Sequence, residues 1–188
     1  ALPLYRKIWL NNYMSNSENK TINYNNPNVS YTEFINKELV LFSLYDNNRS
    51  LPNVIDGLKP GQRKILYSCF KRNLKKEIKV SQLAGYVSEH SAYHHGEMSL
   101  VGTIINMAHN FPGSNNINLL HPDGQFGTRL GGGKDHASAR YIFTRLKTLT
   151  NIIYNKHDEA LYKYTEDDGI KIEPVCYAPI IPMLLVNG

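Results

Sequence analysis

With 188 residues, 41% of them hydrophobic and 20% charged, the chain is long enough for one domain with a small appendage and too apolar to be a disordered tail. The formal net charge of +5 permits an anionic partner without naming one. No run approaches the roughly 18 apolar residues of a membrane span, and no charged start leads into an apolar signal core, so no membrane partner is expected. The two cysteines, Cys69 and Cys176, lack the paired spacing of a zinc site or a disulfide framework, and both are expected to be reduced.

Residues 1–14 carry Trp9, Leu10 and Tyr13 on a possible short helix, whereas residues 11–30 hold eight asparagines in 20 positions. Such a stretch buries too little apolar surface to offset the entropy of ordering it. Residues 1–30 therefore read as an Asn-rich connector, and both ends of the chain read as cut from something longer. From Thr32, a candidate N-cap, Phe34, Ile35, Leu39, Phe42 and Tyr45 recur at helical spacing and predict an amphipathic helix ending near Asp46-Asn47-Asn48. Asp56-Gly57 and Lys59-Pro60-Gly61 punctuate the chain, and Ile65, Leu66, Cys69 and Phe70 mark a second helix.

Between Lys59 and Val80 stand eight basic residues, Lys59, Arg63, Lys64, Lys71, Arg72, Lys75, Lys76 and Lys79, against the single acid Glu77. Such a run is usually a solvated face; if it meets nucleic acid, phosphate contacts make binding salt-dependent without reading sequence. Ser81 can cap the next helix, with Leu83, Ala84 and Val87 inward. After a break at Ser91 to Gly96, a further helix sets Leu100, Val101, Ile104, Ile105 and Ala108 on one stripe, with Ser99, Gly102, Thr103, Asn106 and His109 opposite. Helix, short break, helix with a small polar outer face is the grammar of a helix-turn-helix that approaches a phosphate backbone closely and reads few bases. The break holds Tyr93, His94 and His95. Adjacent histidines point apart and no third ligand stands at a recognisable spacing, so no metal site is expected here. The unshifted imidazole suits proton transfer or a hydrogen bond to phosphate.

Asn110 to Lys134 is rich in Gly, Asn and Pro, and reads as loops and short strands, the wing of a winged helix. Gly131 to Lys134 fails the pattern of a nucleotide-phosphate loop, because Thr128 stands where the first glycine belongs and Asp135 follows the lysine. Then comes Arg140-Tyr141. A phenol with a pKa of about 10 is a weak nucleophile at neutral pH unless a base or cation assists it. Arginine beside it supplies a permanent charge and a planar fork for phosphate oxygens. Tyrosine attack on a phosphodiester yields another phosphodiester, so a cut strand can be rejoined by reversal. The dipeptide alone is too short to carry that conclusion. Leu146, Leu149, Ile152 and Ile153 predict another amphipathic helix, Asp168-Gly169 a hairpin turn, and Val175 to Val186 an extended, partly buried piece.

Four stretches then change the weight of the dipeptide. They are Arg49-Ser50-Leu51-Pro52-Asn53-Val54-Ile55-Asp56-Gly57-Leu58-Lys59-Pro60-Gly61-Gln62-Arg63-Lys64, Ala92-Tyr93-His94-His95-Gly96-Glu97, Asn110-Phe111-Pro112-Gly113-Ser114-Asn115-Asn116 and Gly124-Gln125-Phe126-Gly127-Thr128-Arg129. Together with the Arg140-Tyr141 segment, and in this order, they resemble the breakage-reunion core of the type IIA DNA topoisomerases of the eukaryotic kind, over nearly everything from Tyr31 to Gly188. The resemblance implies an α+β, mainly helical winged-helix fold, a helix-turn-helix with a β wing, over residues 31–188. It implies that Tyr141 becomes linked to the 5′ phosphate of a cut strand, with Arg140 beside it as transition-state stabiliser. Positions matching Arg49, Lys59 and His95 lie around the scissile phosphate, and those matching Tyr93 and Ser99 contact DNA. Asp56 is grouped with these DNA-contacting positions, a salt bridge to a basic residue being its expected job. The resemblance further implies a homodimer acting on double-stranded DNA in the nucleus, with Mg2+ and ATP bound by segments outside this chain. Ala139 stands where many members of that family have proline. Two other classes remain open: a non-catalytic winged-helix DNA-binding module, and an interaction domain whose basic tract meets an acidic protein.

Overall fold

The computed structural model describes residues 2–16 and 21–187; part of the Asn-rich stretch, residues 17–20, and the terminal Ala1 and Gly188 lie outside the described residues. Contacts divide the chain into two units, Ala1–Leu51 and Pro52–Gly188. In the first, α1 (Pro3–Ser15) begins with proline at its first turn, where the missing N–H is not needed. A second helical run consists of α2 (Tyr31–Phe34), a π-helical turn (Ile35–Leu39) and α3 (Val40–Ser50). Its cap is Ser30, whose hydroxyl accepts from the Glu33 N–H at 3.1 Å, rather than Thr32. The run also continues past the expected stop at Asn47-Asn48. Trp9 donates its indole N–H to Asn36 Oδ1 at 2.8 Å, and Val40 is fully buried.

In the second unit, α4 (Pro60–Lys71) starts with a proline, and the Gln62 side chain reaches back to accept the Lys59 N–H at 2.9 Å. It ends in a left-handed residue, Asn73 (φ +51°). The Asn73 N–H bonds Phe70 O at 2.9 Å and the Leu74 N–H bonds Cys69 O at 3.0 Å, a Schellman stop with Leu74 buried behind it. The chain then forms β1 (Ile78–Lys79) and α5 (Val80–His90). Ser81 lies inside the first turn of α5 instead of capping it, since the strand runs directly into the helix. The third helix of this unit, α6 (Glu97–Ala108), presents Leu100, Ile104 and Ile105 inward as its spacing predicts. His109 departs from the expected polar face: it is buried, and its Nε2 lies 2.7 Å from Phe126 O.

Strand β2 (Leu120–Asp123) and β3 (Phe143–Leu146) complete an antiparallel sheet in the order β1-β3-β2. Leu146 pairs with Leu120 at one end of β3, and Phe143 pairs with Lys79 and Asp123 at the other. The expected helix after Tyr141 is thus a strand first, with only α7 (Thr148–Ile153) helical, because Ile142, Thr144 and Leu146 alternate inward with the period of a strand. A 3-10 turn (Lys156–Leu161) leads to the hairpin of β4 (Tyr164–Asp167) and β5 (Ile170–Pro174). Asp168 and Gly169 both have positive φ, +47° and +76°, the geometry of a type I′ hairpin turn. The closing segment is extended as expected until α8 (Met183–Asn187). The core of this unit joins Ile65 and Leu66 of α4, Leu83 of α5, Leu100 and Ile104 of α6, and Leu120, Ile142 and Ile153.

Candidate functional site

The Arg140-Tyr141 pair is held at the N-terminus of α5. A helix leaves its first N–H groups without partners in the helix. Here the Val80 N–H bonds Ile142 O at 3.0 Å and the Ser81 N–H bonds Ala139 O at 3.2 Å. Between these carbonyls the backbone turns, with the Tyr141 N–H on Ser138 O at 2.9 Å. Ile142 is 1% exposed and anchors the segment, whereas Tyr141 is 70% exposed and Arg140 is exposed beside it. The Arg140 guanidinium carbon lies 5.9 Å from the centroid of the Tyr141 ring. The backbone is fixed, the side chains project, and a cation stands within reach of the phenol.

The glycine-rich loop that precedes this pair is closed on itself. Asp135 accepts the Thr128 N–H at 2.9 Å and the Thr128 hydroxyl at 2.6 Å. These hydrogen bonds hold its carboxyl below the ordinary carboxylate range, the Thr128 hydroxyl contributing most. A Cβ on Gly131 would overlap that carboxylate. The loop cradle is therefore filled by an anion of the chain's own, which gives a physical reason why a nucleotide phosphate is not accommodated there.

The turn after α5 carries the next group of predicted residues. Ala92 takes φ +47°, and the Tyr93 hydroxyl donates to Ser99 Oγ at 3.1 Å. The Tyr93 and His95 rings meet edge to face with centroids 5.3 Å apart. His94 turns the other way, its Nε2 3.0 Å from Asp167 Oδ2, so the two histidines do diverge. The structure thus brings Tyr93, His95 and Ser99 together on an exposed turn, and Arg140 with Tyr141 at the opposite end of α5. The 11 residues of that helix span roughly 16 Å. Lys59 is exposed at the start of α4, and Arg49 occupies the last turn of α3 in the first unit.

Asp56 is corrected as a DNA contact. It is 0% exposed, and its carboxylate is taken by Arg63, by the Leu58 N–H and by the Tyr177 N–H. The salt bridge expected of it is present, and no face of the carboxylate is left for a phosphate backbone. The basic tract is likewise not one solvated face: Arg63 is buried against Asp56, and Lys64 pairs with Glu173 at 2.9 Å. No local signal could have revealed that second pair, whose members stand 109 residues apart.

Among the described residues no three His, Cys, Asp or Glu side chains come together as a metal site, and no helix is long and apolar enough to cross a membrane. A cavity of about 370 Å³ lies beneath the C-terminal end of α4, lined by Phe70, Lys71, Lys75, Tyr154 and Tyr162 among others; Tyr141 does not line it. The candidate chemistry therefore sits on an exposed surface, as a reaction on a polymer backbone requires.

A family profile for DNA gyrase/topoisomerase IV matches residues 49–188, and one for the C-terminal associated domain of TOPRIM matches residues 4–47. The chain is 58% identical to DNA topoisomerase 2 of Drosophila melanogaster over 97% of its own length and 13% of that protein. It is 55% identical to human DNA topoisomerase 2-alpha, over 97% of the chain and 12% of the relative. A crystal structure of the Plasmodium falciparum topoisomerase II DNA-binding, cleavage and re-ligation domain superposes with a TM-score of 0.85 at 56% identity, covering 98% of this chain and 25% of that one. The chain thus spans about an eighth of the length of these curated relatives. With three quarters of its residues inside the first profile and such identity to eukaryotic members, the chain belongs to the DNA gyrase/topoisomerase IV family, the type IIA topoisomerases.

Proposed function

We propose that this chain is the winged-helix part of the breakage-reunion core of an ATP-dependent type II DNA topoisomerase, and that Tyr141 is its nucleophile. The observation that carries this reading is the anchored turn at the N-terminus of α5, which presents an exposed tyrosine with an arginine 5.9 Å from its ring. In the reaction the Tyr141 phenolic oxygen bonds to phosphorus, and the 3′ oxygen of the neighbouring deoxyribose leaves. The product is a 5′-phosphotyrosyl link that the same 3′ oxygen can reverse. Arg140 offsets the charge that builds on the phosphoryl oxygens. Lys59, Arg49 and His95 are assigned to the surroundings of the scissile phosphate, and Tyr93 and Ser99 to the duplex backbone.

The winged-helix reading is supported by α5, the turn and α6 as the helix-turn-helix, and by the loop from β2 to β3 as the wing. Double-stranded DNA is the substrate, and two copies, one per strand, form the working homodimer in the nucleus. Mg2+ and ATP belong to other segments of the longer polypeptide, since the acids described here do not fit a Mg2+ site and the Gly131–Gly133 loop holds its own carboxylate.

The test uses the full-length protein with supercoiled DNA, Mg2+ and denaturant quenching, followed by digestion and mass spectrometry. A nucleotide on Tyr141, lost in Tyr141→Phe, is expected. DNA binding with no adduct from a folded dimer would replace this reading with a non-catalytic binding module.

A further inference from the structure

Two acidic residues of one hairpin reach the turn that carries His95. On one side Lys64 of α4 donates to the Ser91 carbonyl and, at 2.9 Å, to Glu173 Oε2 of β5. This pair is enclosed, with side chains 16% and 9% exposed, and Ser91 is fully buried. On the other side Asp167 of β4 takes His94 at 3.0 Å in a more open pair. Between the two anchors lie Ala92, held at φ +47°, and Tyr93, whose N–H reaches back to Ser88 O at 3.5 Å. A left-handed alanine persists only where its surroundings impose it. An enclosed Lys–Glu pair adds little net stability, because desolvation offsets the attraction, so its use lies in fixing geometry.

We infer that the β4–β5 hairpin is a clamp that sets the position of His95, with Glu173 acting through Lys64 and the Ser91 carbonyl, and Asp167 acting through His94. Glu173 and Asp167 are positioning residues, and neither touches substrate. The inference rests on the reading of His95 as a group facing the scissile phosphate. Lys64 is the joint of the clamp: an ammonium has three donors, and here one holds the turn while another is held by the hairpin. Releasing the carboxylate leaves the ammonium to follow solvent, and the turn is free to move with it.

The test is made in the full-length protein. Glu173→Gln keeps the shape and removes the charge; the rate of adduct formation at saturating DNA is expected to fall between about tenfold and a hundredfold, the scale for a reacting group displaced by about an ångström. Asp167→Asn, at a more exposed pair that leaves the core untouched, is expected to cost roughly two- to fivefold. In a His95→Ala background Glu173→Gln should cost less than about twofold, because the group it positions is already gone. Equal losses in both backgrounds, or no loss in the wild-type background, would overturn the inference.

Hydrogen exchange separates this from the reading of Tyr141. Amides of Ser91 to Tyr93 should exchange several-fold faster in Glu173→Gln while β2 and β3 are unchanged. Unaltered exchange there overturns the clamp whatever the chemistry does. A wild-type protein that forms no adduct overturns the role of Tyr141, and the exchange result then decides the clamp by itself.

Discussion

The Asp56 carboxylate and the Arg63 guanidinium meet in a buried two-point pair, Oδ2 at 2.7 Å from Nε and Oδ1 at 3.0 Å from a terminal nitrogen. The same carboxylate accepts the N–H groups of Leu58 and Tyr177, and Arg63 donates to Leu58 O at 2.9 Å. One ion pair thus ties the loop before α4, the helix itself and the closing segment. Removing one partner leaves a buried charge alone, so Asp56→Ala is expected to lower stability by about 3–5 kcal/mol in chemical denaturation. The paired change Asp56→Leu with Arg63→Met should remain destabilised, because two backbone N–H donors still lose their acceptor at about 1–3 kcal/mol each. Full recovery in the double variant would show that the backbone bonds matter little.

The glycine loop makes a sharper prediction at two neighbouring positions. Gly132 (φ +58°) has nothing within 4 Å of a built Cβ, whereas a Cβ on Gly133 (φ +79°) would overlap the buried His109 ring. Gly132→Ala should cost about 1–2 kcal/mol for the backbone conformation alone. Gly133→Ala adds overpacking of about 1–3 kcal/mol. Denaturation midpoints of the two variants check the order, and equal midpoints would mean that His109 moves aside freely.

Burial pushes the Cys69 thiol up from 9.0 to about 12. The folded state therefore keeps its proton where the unfolded chain has lost it. This contribution to stability is fully present below pH 9.0 and is lost as pH rises through about 12. Burial also raises Tyr154 and Tyr177, so they act in the same direction. Denaturation midpoints should fall above pH 9.0 and fall less in Cys69→Ala once its cavity cost is subtracted at neutral pH. Cys69 should also resist alkylation at neutral pH in the folded protein.

Charge on the basic tract should not count equally toward DNA. Lys59 is exposed, whereas Arg63 is committed to Asp56 and Lys64 to Glu173. Lys59→Ala is expected to flatten the dependence of log affinity on log salt by about 0.9, the release of counterions from one phosphate. Binding titrations at several salt concentrations read this directly. An unchanged slope would remove Lys59 from the interface.

Local patterns were enough for much of this molecule. Apolar spacing along Ile65-Leu66-Cys69 and along Leu100-Ile104-Ile105 marks α4 and α6 because a helix repeats every 3.6 residues whatever surrounds it. Asp168-Gly169 announces its hairpin because only such residues tolerate both positive φ angles, and Arg140-Tyr141 with its flanking motifs names the family. What local pattern could not determine were the partners distant in sequence. Leu146 sits at helical spacing with Leu149 and Ile153, yet it is a strand residue because Leu120 pairs with it. His109 reads as a solvent-facing end of α6 until the Phe126 carbonyl and Gly133 close over it. The anchoring of Tyr141 by the N–H groups of Val80 and Ser81, and the hold of Glu173 on the His95 turn through Lys64, exist only once the chain is folded. The physical reason is that periodicity and turn chemistry are properties of neighbouring residues, whereas ion pairs and borrowed helix-end hydrogen bonds belong to residues that only packing brings together.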